Sequence, residues 1–146
     1  VWLKGNRVSR NQIMAIKEES VTDQKNSLTV CLDNILRHAG ITRNTEYDLA
    51  QGKTAIQILE ENMTGVQVLD LSGCSLDAVL YYVNQDIPVL AILEDGEAVL
   101  VTGFNEFNVV IMEPSTGKLY KKGMNDATTW FAENGNHFIS YMKIDN

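Results

Sequence analysis

The chain has 146 residues with a formal net charge of -7; 45% of its residues are hydrophobic and 21% are charged. This length fits one domain that buries about two-thirds of its unfolded surface. The acidic balance and scattered Lys and Arg residues exclude duplex nucleic acid and anionic membrane as partners, which need clustered basic residues, and no apolar run reaches the ~18 residues of a membrane span.

The first 22 residues are predicted to be a segment of a longer parent protein. Their opening, VWLKGNRVSRNQ, has neither an initiator Met nor the apolar core of a signal peptide. The apolar run IMAI that follows predicts a short strand or a turn of helix. We therefore expect the folded domain to span 23–146.

The strongest helix signal is NSLTVCLDNILRHAG, residues 26–40. Asn26 or Ser27 can cap this helix, and Gly40 can end it. Its apolar residues recur on one face at helical spacing. The predicted stripe consists of Leu28, Cys31, Leu32, Ile35, Leu36 and Ala39.

Two further helices are predicted before residue 87. TAIQILEENMTG pairs Thr54 with Gln57 three residues later, which is a capping-box pattern. SGCSLDAVLYYVNQ is predicted to be capped by Ser75, and Asp77 lies favourably near its positive end. The predicted apolar stripes are Ile56, Leu59 and Met63 in the former, and Leu76, Val79, Leu80 and Val83 in the latter.

The strands are predicted mainly toward the C-terminus. After the short strand VQVLDL, residues 87–117 contain three apolar runs separated by turns, which predicts an antiparallel meander. Glu97 is out of place there, since it opens an apolar strand directly after an Asp-Gly turn. NDATTWFAENG then predicts a capped helix ended by Gly135, and HFISYMKI a closing strand. Helices first and antiparallel strands later indicate an α+β domain.

The sequence predicts neither a metal site nor a cofactor. The two histidines, His38 and His137, lie far apart in the chain, and a metal site needs several ligands at close spacing. Neither glycine-rich fingerprint of a phosphate-binding loop is present. His38, near a helix end, is expected to contact the last helix carbonyls, and His137 to open a surface strand.

Several motifs occur in an order that resembles a known family. They are the helix ending NILRHAG, then SLDAVLYYVNQDIPVLAIL, GEAVLVTGF, MEPSTG and TTWFAENG. Residues 23–146 thereby resemble the papain-like peptidase domain of the bacteriocin-processing, double-glycine leader peptidases, and more closely its stand-alone bacterial relatives. The resemblance implies a papain-like domain with helices N-terminal and an antiparallel sheet C-terminal.

The resemblance also assigns positions to the family's catalytic residues. Its nucleophilic Cys matches Ser27, its general base His matches Glu97, and its orienting Asp matches Glu113. The glutamine of its oxyanion hole matches Gln24. A hydroxyl served by two carboxylates is a poor hydrolytic set, because a carboxylate is a weak proton acceptor near neutral pH. We therefore expect papain-type catalysis to be lost.

The function expected from the resemblance is a catalytically inactive, peptidase-like binding or interaction module. Degenerate relatives in the family hold extended polypeptides in the former active-site cleft, and an acidic cleft here would favour basic segments. Glu97 and Glu113 would supply that charge if they line the cleft. The family also implies a larger bacterial surface or secreted protein.

Two alternatives remain open from the residues. A working cysteine peptidase could use Cys31 or Cys74, since a thiol at a helix N-terminus can be activated there. Cys31 lies one turn inside its helix on the apolar stripe, where a core role is expected, whereas Cys74 directly precedes a helix. The other alternative is a structural spacer domain.

Overall fold

The computed structural model of the chain describes residues 12–13 and 26–144. Within them the fold is α+β, with helices and an antiparallel sheet, as predicted. The helices are α1 Ser27–His38, α2 Glu46–Ala50, α3 Ala55–Asn62, α4 Leu76–Val83 and α5 Met124–Glu133. The strands are β1 Gln12–Ile13, β2 Val66–Asp70, β3 Val89–Ile92, β4 Ala98–Phe104, β5 Asn108–Glu113, β6 Lys118–Gly123 and β7 His137–Lys143.

One antiparallel sheet organises the domain, with the strand order β2-β7-β3-β4-β5-β6. β3, β4 and β5 are neighbours, which confirms the predicted meander. The turn between β3 and β4 contains Gly96 at φ 87°, a conformation that glycine adopts without a Cβ penalty. β1, which contains the first residue of the IMAI run, pairs with the end of β4; residues 14–16 of that run lie outside the described residues.

Helices cover both faces of the sheet. Phe138 and Tyr141 point to opposite faces of β7, because side chains alternate along a strand. Phe131 of α5 packs edge-on against Phe138 at 5.3 Å between ring centroids, and α4 contacts α5. Tyr141 lines a cleft with His38 of α1. The end of α1 therefore lies on the face opposite to α5.

The first helix is more deeply buried than its apolar stripe predicts. Asn26, not Ser27, is its cap, accepting the Leu28 N–H at 2.8 Å. Ala39 at its end is exposed, so the buried stripe ends at Leu36. Burial also reaches five residues outside the stripe, namely Ser27, Thr29, Val30, Asp33 and Asn34. A helix enclosed on most sides is expected at the centre of a domain.

The next two helices confirm their predicted caps. The Thr54 side chain accepts the Gln57 N–H and the Gln57 side chain accepts the Thr54 N–H, which completes the capping box of α3. Ser75 caps α4 by accepting the Ala78 N–H. All four predicted stripe residues of α4 are buried. In α3 the face is rotated from the prediction, since Ile58 is fully buried and Ile56 only partly.

Two elements were not predicted. β6 has the sequence KLYKKG, which shows no clean alternation because it lies at the edge of the sheet and pairs on one side with β5. α2 is only five residues long. The cap predicted for α5 was also wrong, because this helix follows Gly123 and its first turn has no side-chain cap.

No helix in 26–144 is long and apolar enough to cross a membrane.

Candidate functional site

Ser27 occupies the start of α1 and contacts the start of β4. Its Oγ accepts a hydrogen bond from the Ala98 N–H at 2.8 Å, and the residue is 8% exposed. Because Asn26 already caps the helix, the Ser27 hydroxyl serves a long-range contact instead of a local one. This contact fixes the N-terminus of α1 against the first residue of β4.

Glu97 directly precedes Ala98 and is exposed. Its backbone N–H donates to Asp95 Oδ1 at 2.9 Å, and its carbonyl accepts the Leu93 N–H at 2.7 Å. These bonds hold the residue in the tight turn between β3 and β4. The backbone of Glu97 therefore lies beside the Ser27 hydroxyl, which the sequence alone does not show.

Glu113 ends β5 on the neighbouring strand and is partly buried. Its Oε1 accepts hydrogen bonds from the Ser115 N–H at 3.3 Å and the Ser115 Oγ at 3.2 Å. Its negative charge also raises the pKa of Cys31, so its carboxylate lies within electrostatic reach of α1. The fold thus gathers Ser27, Glu97 and Glu113 around the first turns of α1.

The two thiols have different surroundings. Cys31 is 0% exposed, and burial, reinforced by the charge of Glu113, raises the pKa of its thiol far above the ordinary value. Since only a thiolate is strongly nucleophilic, Cys31 in this position is chemically inert. Cys74 is half-buried in the loop before α4, where its N–H donates to the Leu71 carbonyl at 3.0 Å. Cys31 thus has the core position expected from its stripe.

The remaining predicted positions lie elsewhere or outside the structure. Gln24 lies outside the described residues. The His38 Nε2 lies 3.0 Å from the Asp86 carbonyl oxygen, 48 residues away, and not against the last carbonyls of its own helix as predicted. His137 begins β7, as predicted, and is exposed. Within 26–144, no cluster of three or more His, Cys, Asp or Glu side chains is placed to hold a metal ion.

A cleft of about 510 Å³ opens beside the turn that carries Glu97. Its walls combine apolar residues with two carboxylates and an imidazole. The lining residues are Asp70, Ser72, Ile92, Leu93, Glu94, Gly96, His137 and Ile139. No local pattern of residues predicts this cleft, because its residues come from β2, β3, β7 and the connecting loops.

Ser72, His137 and Asp70 form a polar cluster in this cleft. The Ser72 Oγ lies 3.3 Å from His137 Nδ1, and hydrogen bonds from Ser72 lower the pKa of Asp70. The nearby backbone donors of the loop are already used. The Ser72 N–H donates to Asp70 and the Gly73 N–H to the Asn136 carbonyl. No oxyanion hole therefore forms from this loop.

Comparisons with known proteins bear on this arrangement. The chain is similar to the solved structure of a C39-like peptidase from Bacillus anthracis. The TM-score is 0.73 with 14% sequence identity, and the match covers 92% of this chain and 98% of that one. This chain has the fold of a C39-like peptidase. A second similar structure is a double glycine motif protease from an AMS/PCAT transporter in complex with the leader peptide, with a TM-score of 0.60, 11% identity, and coverage of 91% and 94%.

The C39-like fold confirms the resemblance seen in the order of the motifs. At these identities the likeness is one of fold, and the residues at the site are this chain's own. No protein-family model matches the sequence, and no curated protein matches it. In this C39-like fold, the positions assigned to the nucleophile and base hold a buried hydroxyl and an exposed carboxylate.

The burial of Cys31 leads to a prediction about pH. Its ordinary pKa is 9.0, and the folded chain holds its proton more tightly than the unfolded chain does. Stability from this residue is therefore intact below pH 9 and is lost as the pH rises above it. We expect the free energy of unfolding to fall by about 1.4 kcal/mol per pH unit above pH ~9, measured by urea denaturation.

A Cys31→Ala variant is the control for this prediction. Burial also raises the pKa values of Tyr120 and Tyr141, whose ordinary value is 10.0, so both chains should lose stability at higher pH. The contribution of Cys31 is the difference between the two pH profiles. Parallel profiles for both chains would show that the thiol ionises in the folded state as readily as in water.

Proposed function

We propose that this chain is a peptidase-like domain without papain-type catalysis, and that it binds an extended polypeptide at the N-terminal end of α1. We also propose that it is one part of a larger bacterial surface or secreted protein, as the family resemblance implies. The observation that carries the proposal is the buried Ser27 hydroxyl, which is hydrogen-bonded to the Ala98 N–H beside Glu97.

The chemistry of this arrangement disfavours hydrolysis. A serine hydroxyl becomes a nucleophile when a base near neutral pKa, usually an imidazole, takes its proton. A solvated carboxylate is a much weaker proton acceptor, and Glu97 is exposed. One of the two lone pairs of Ser27 Oγ already accepts a hydrogen bond from a backbone N–H. The buried, protonated thiol of Cys31 does not replace it.

The fold supports binding of a polypeptide in an extended conformation. Clefts shaped for extended chains recognise them through backbone pairing and side-chain pockets, and neither requires a catalytic residue. The double glycine motif protease with this fold was solved in complex with a leader peptide. The cleft beside Glu97 has both an apolar wall, including Ile92 and Ile139, and polar groups.

The charges around this cleft favour a basic segment. Asp70 and Glu94 line it, and Glu97 adjoins it. His137 is the basic group in the lining, and it contacts Ser72. A segment with Lys or Arg residues between apolar ones would place cations beside the carboxylates and apolar side chains on the wall.

Fluorescence anisotropy with two labelled peptides tests the proposal. The peptides have the same length and apolar residues, with Lys in one and Glu in the other. We expect the Lys peptide to bind. In the Asp70→Asn/Glu94→Gln double variant its affinity should fall by about three- to tenfold, since exposed charge pairs are each worth ~0.2–1 kcal/mol.

A matched control removes two charges elsewhere. The Glu60→Gln/Glu133→Gln variant loses the same net charge at two exposed helix positions, in α3 and α5. Its affinity for the Lys peptide should equal that of the unchanged chain. Equal losses in both variants would show attraction by net charge alone, and no binding of either peptide would favour the spacer function.

The active-peptidase alternative has its own test, which is the reaction of the native thiols with iodoacetamide at pH 6. Buried or unactivated thiols react slowly at that pH, whereas an activated thiolate reacts quickly. We expect slow alkylation of both Cys31 and Cys74. Fast alkylation of either thiol, located by mass spectrometry, would overturn the proposed loss of catalysis.

A further inference from the structure

A second cleft lies at the opposite end of α1 from the proposed polypeptide site. α1 has 12 residues, which corresponds to about 18 Å of helix. The cleft has a volume of about 550 Å³, within the range of roughly 300–1,000 Å³ that is usual for small-molecule sites. It is lined by His38, Ala39, Ile41, Met63, Thr64, Gly65, Val66, Asp86, Tyr141, Lys143 and Ile144.

Tyr141 is the first sign that this cleft is a binding site. The residue is only 3% exposed, yet within 26–144 its hydroxyl has no hydrogen-bond partner. Every fully buried side-chain polar atom in that range has a hydrogen-bond partner. Because the Tyr141 hydroxyl has none, it must reach the surface of the cleft. Buried tyrosines usually find a partner for this group. Here the available partner is a molecule in the cleft.

The cleft has a negative side. α1 ends there with His38 and Ala39, and the carbonyl end of a helix carries partial negative charge. Asp86 adds a carboxylate that is 60% exposed. The His38 Nε2–H donates to the Asp86 carbonyl, which holds this residue against the helix end at φ 67°. Asp and Asn tolerate this left-handed conformation better than most residues.

The cleft has a positive side on β7. Lys143 lies two residues after Tyr141, so both side chains point to the same face of the strand. Lys143 forms no ion pair with Asp86 in the described part of the chain, although both line the cleft. The raised pKa of Tyr141 keeps its hydroxyl protonated and able to donate beside this ammonium group. Lys143 and Tyr141 together suit a carboxylate.

Apolar side chains lie between the two charged sides. Met63 is buried at the end of α3, and Ile41 and Val66 are partly buried. Ile144, which is 48% exposed, stands at the rim. A ligand that satisfies the whole lining therefore needs an anionic group, a cationic group and an apolar body.

We propose that this cleft binds a zwitterionic amino acid with an apolar side chain. The carboxylate of the ligand contacts Lys143 and accepts a hydrogen bond from the Tyr141 hydroxyl. Its ammonium group contacts Asp86 at the end of α1. Its side chain packs on Ile41, Met63 and Val66. This site is independent of the polypeptide cleft at the other end of the helix.

Isothermal titration with L-leucine tests the proposal, since millimolar affinities are within reach of such small ligands. We expect saturable binding. Two analogues separate the charges: 4-methylpentanoate lacks the ammonium group, and 3-methylbutylamine lacks the carboxylate. Each should bind several-fold more weakly than L-leucine. Equal affinity of either analogue would overturn the zwitterion assignment, and no saturable L-leucine binding would overturn the site.

Variants of the lining complete the test. Tyr141→Phe keeps the ring and loses the hydroxyl, and should weaken L-leucine binding by about fivefold, the value of one hydrogen bond. Asp86→Asn keeps the left-handed backbone and should weaken it similarly. Lys143→Met should also weaken L-leucine binding. Its matched control is Lys121→Met, which removes an exposed lysine on β6 and should leave the affinity unchanged. Unchanged affinity in Tyr141→Phe, with a native melting temperature, would contradict the proposal.

NMR mapping gives a readout that does not depend on the variants. Amide shifts on L-leucine addition should cluster at residues 38–41, 63–66 and 141–144. Shifts confined to the Asp70, Glu94 and His137 region would place the ligand in the other cleft and overturn the assignment of this one.

Discussion

Replacing Ser27 by Cys, Glu97 by His and Glu113 by Asp in one chain is expected to create a thiol that iodoacetamide alkylates at pH 6 roughly three times faster than the thiol of the Ser27→Cys single variant. The Ser27 Oγ already lies 2.8 Å from the backbone N–H that follows Glu97. Position 97 is therefore the neighbour of the residue that contacts Ser27, and we expect an imidazole there to pair with a thiol at position 27.

The size of this effect follows from ionisation. An ordinary thiol with a pKa near 8.5 is about 0.3% thiolate at pH 6, whereas a papain-type Cys paired with His is almost fully ionised. The lower basicity of that thiolate also lowers its intrinsic reactivity by roughly 100-fold, which reduces a gain of roughly 300-fold to about threefold. Asp at position 113 would orient the imidazole.

Mass spectrometry of the alkylated peptides measures the rate at each cysteine. Cys31 is an internal control in every variant, since its buried thiol should remain unmodified while the chain is folded. Equal rates at position 27 in the single and triple variants would mean that positions 27 and 97 do not correspond to the nucleophile and base of the C39-like fold.

Asp33→Ala should lower the free energy of unfolding by about 2–4 kcal/mol, because it leaves two buried donors without their acceptor. Asp33 is 7% exposed, and its Oδ1 accepts hydrogen bonds at 2.9 Å from both the backbone N–H and the Oγ1 of Thr45. Thr45 is fully buried at the start of α2. The carboxylate therefore joins the middle of α1 to the next helix.

Urea denaturation at neutral pH measures this loss. Asp33→Asn keeps an acceptor oxygen in the same place, so its loss should be smaller than that of Asp33→Ala. Glu60→Ala, at an exposed position of α3, should change the free energy by at most ~0.5 kcal/mol. If Asp33→Ala were as stable as Glu60→Ala, the bonds to Thr45 would not contribute to folding.

The helix starts and the meander could be predicted because their signals are local. Thr54 and Gln57 lie within one turn of each other, and Ser75 directly precedes the helix that it caps. β6 could not be predicted in the same way. Its register is set by pairing with β5, and its side chains do not alternate clearly between apolar and polar.

The assignment of the family's catalytic positions stays a prediction. The order of motifs pointed to Ser27, Glu97 and Glu113, and the C39-like fold brings their elements together around the start of α1. Nothing in the residue pattern indicated that the Ser27 hydroxyl is bound to the Ala98 N–H. The pattern also did not show the two clefts, because four separate segments of the chain line one of them and three line the other.

Local sequence patterns were sufficient to predict the α+β class, the main helices, the meander and an acid, Glu97, at the head of an apolar strand. Each depends on the identity and spacing of residues within one short segment. The packing of distant segments was needed to show that Cys31 lies near the charge of Glu113, that Asp33 binds Thr45, and that Tyr141 lines a cleft with Asp86 and Lys143. Burial and charge depend on which distant segments pack together, and local spacing does not contain that information.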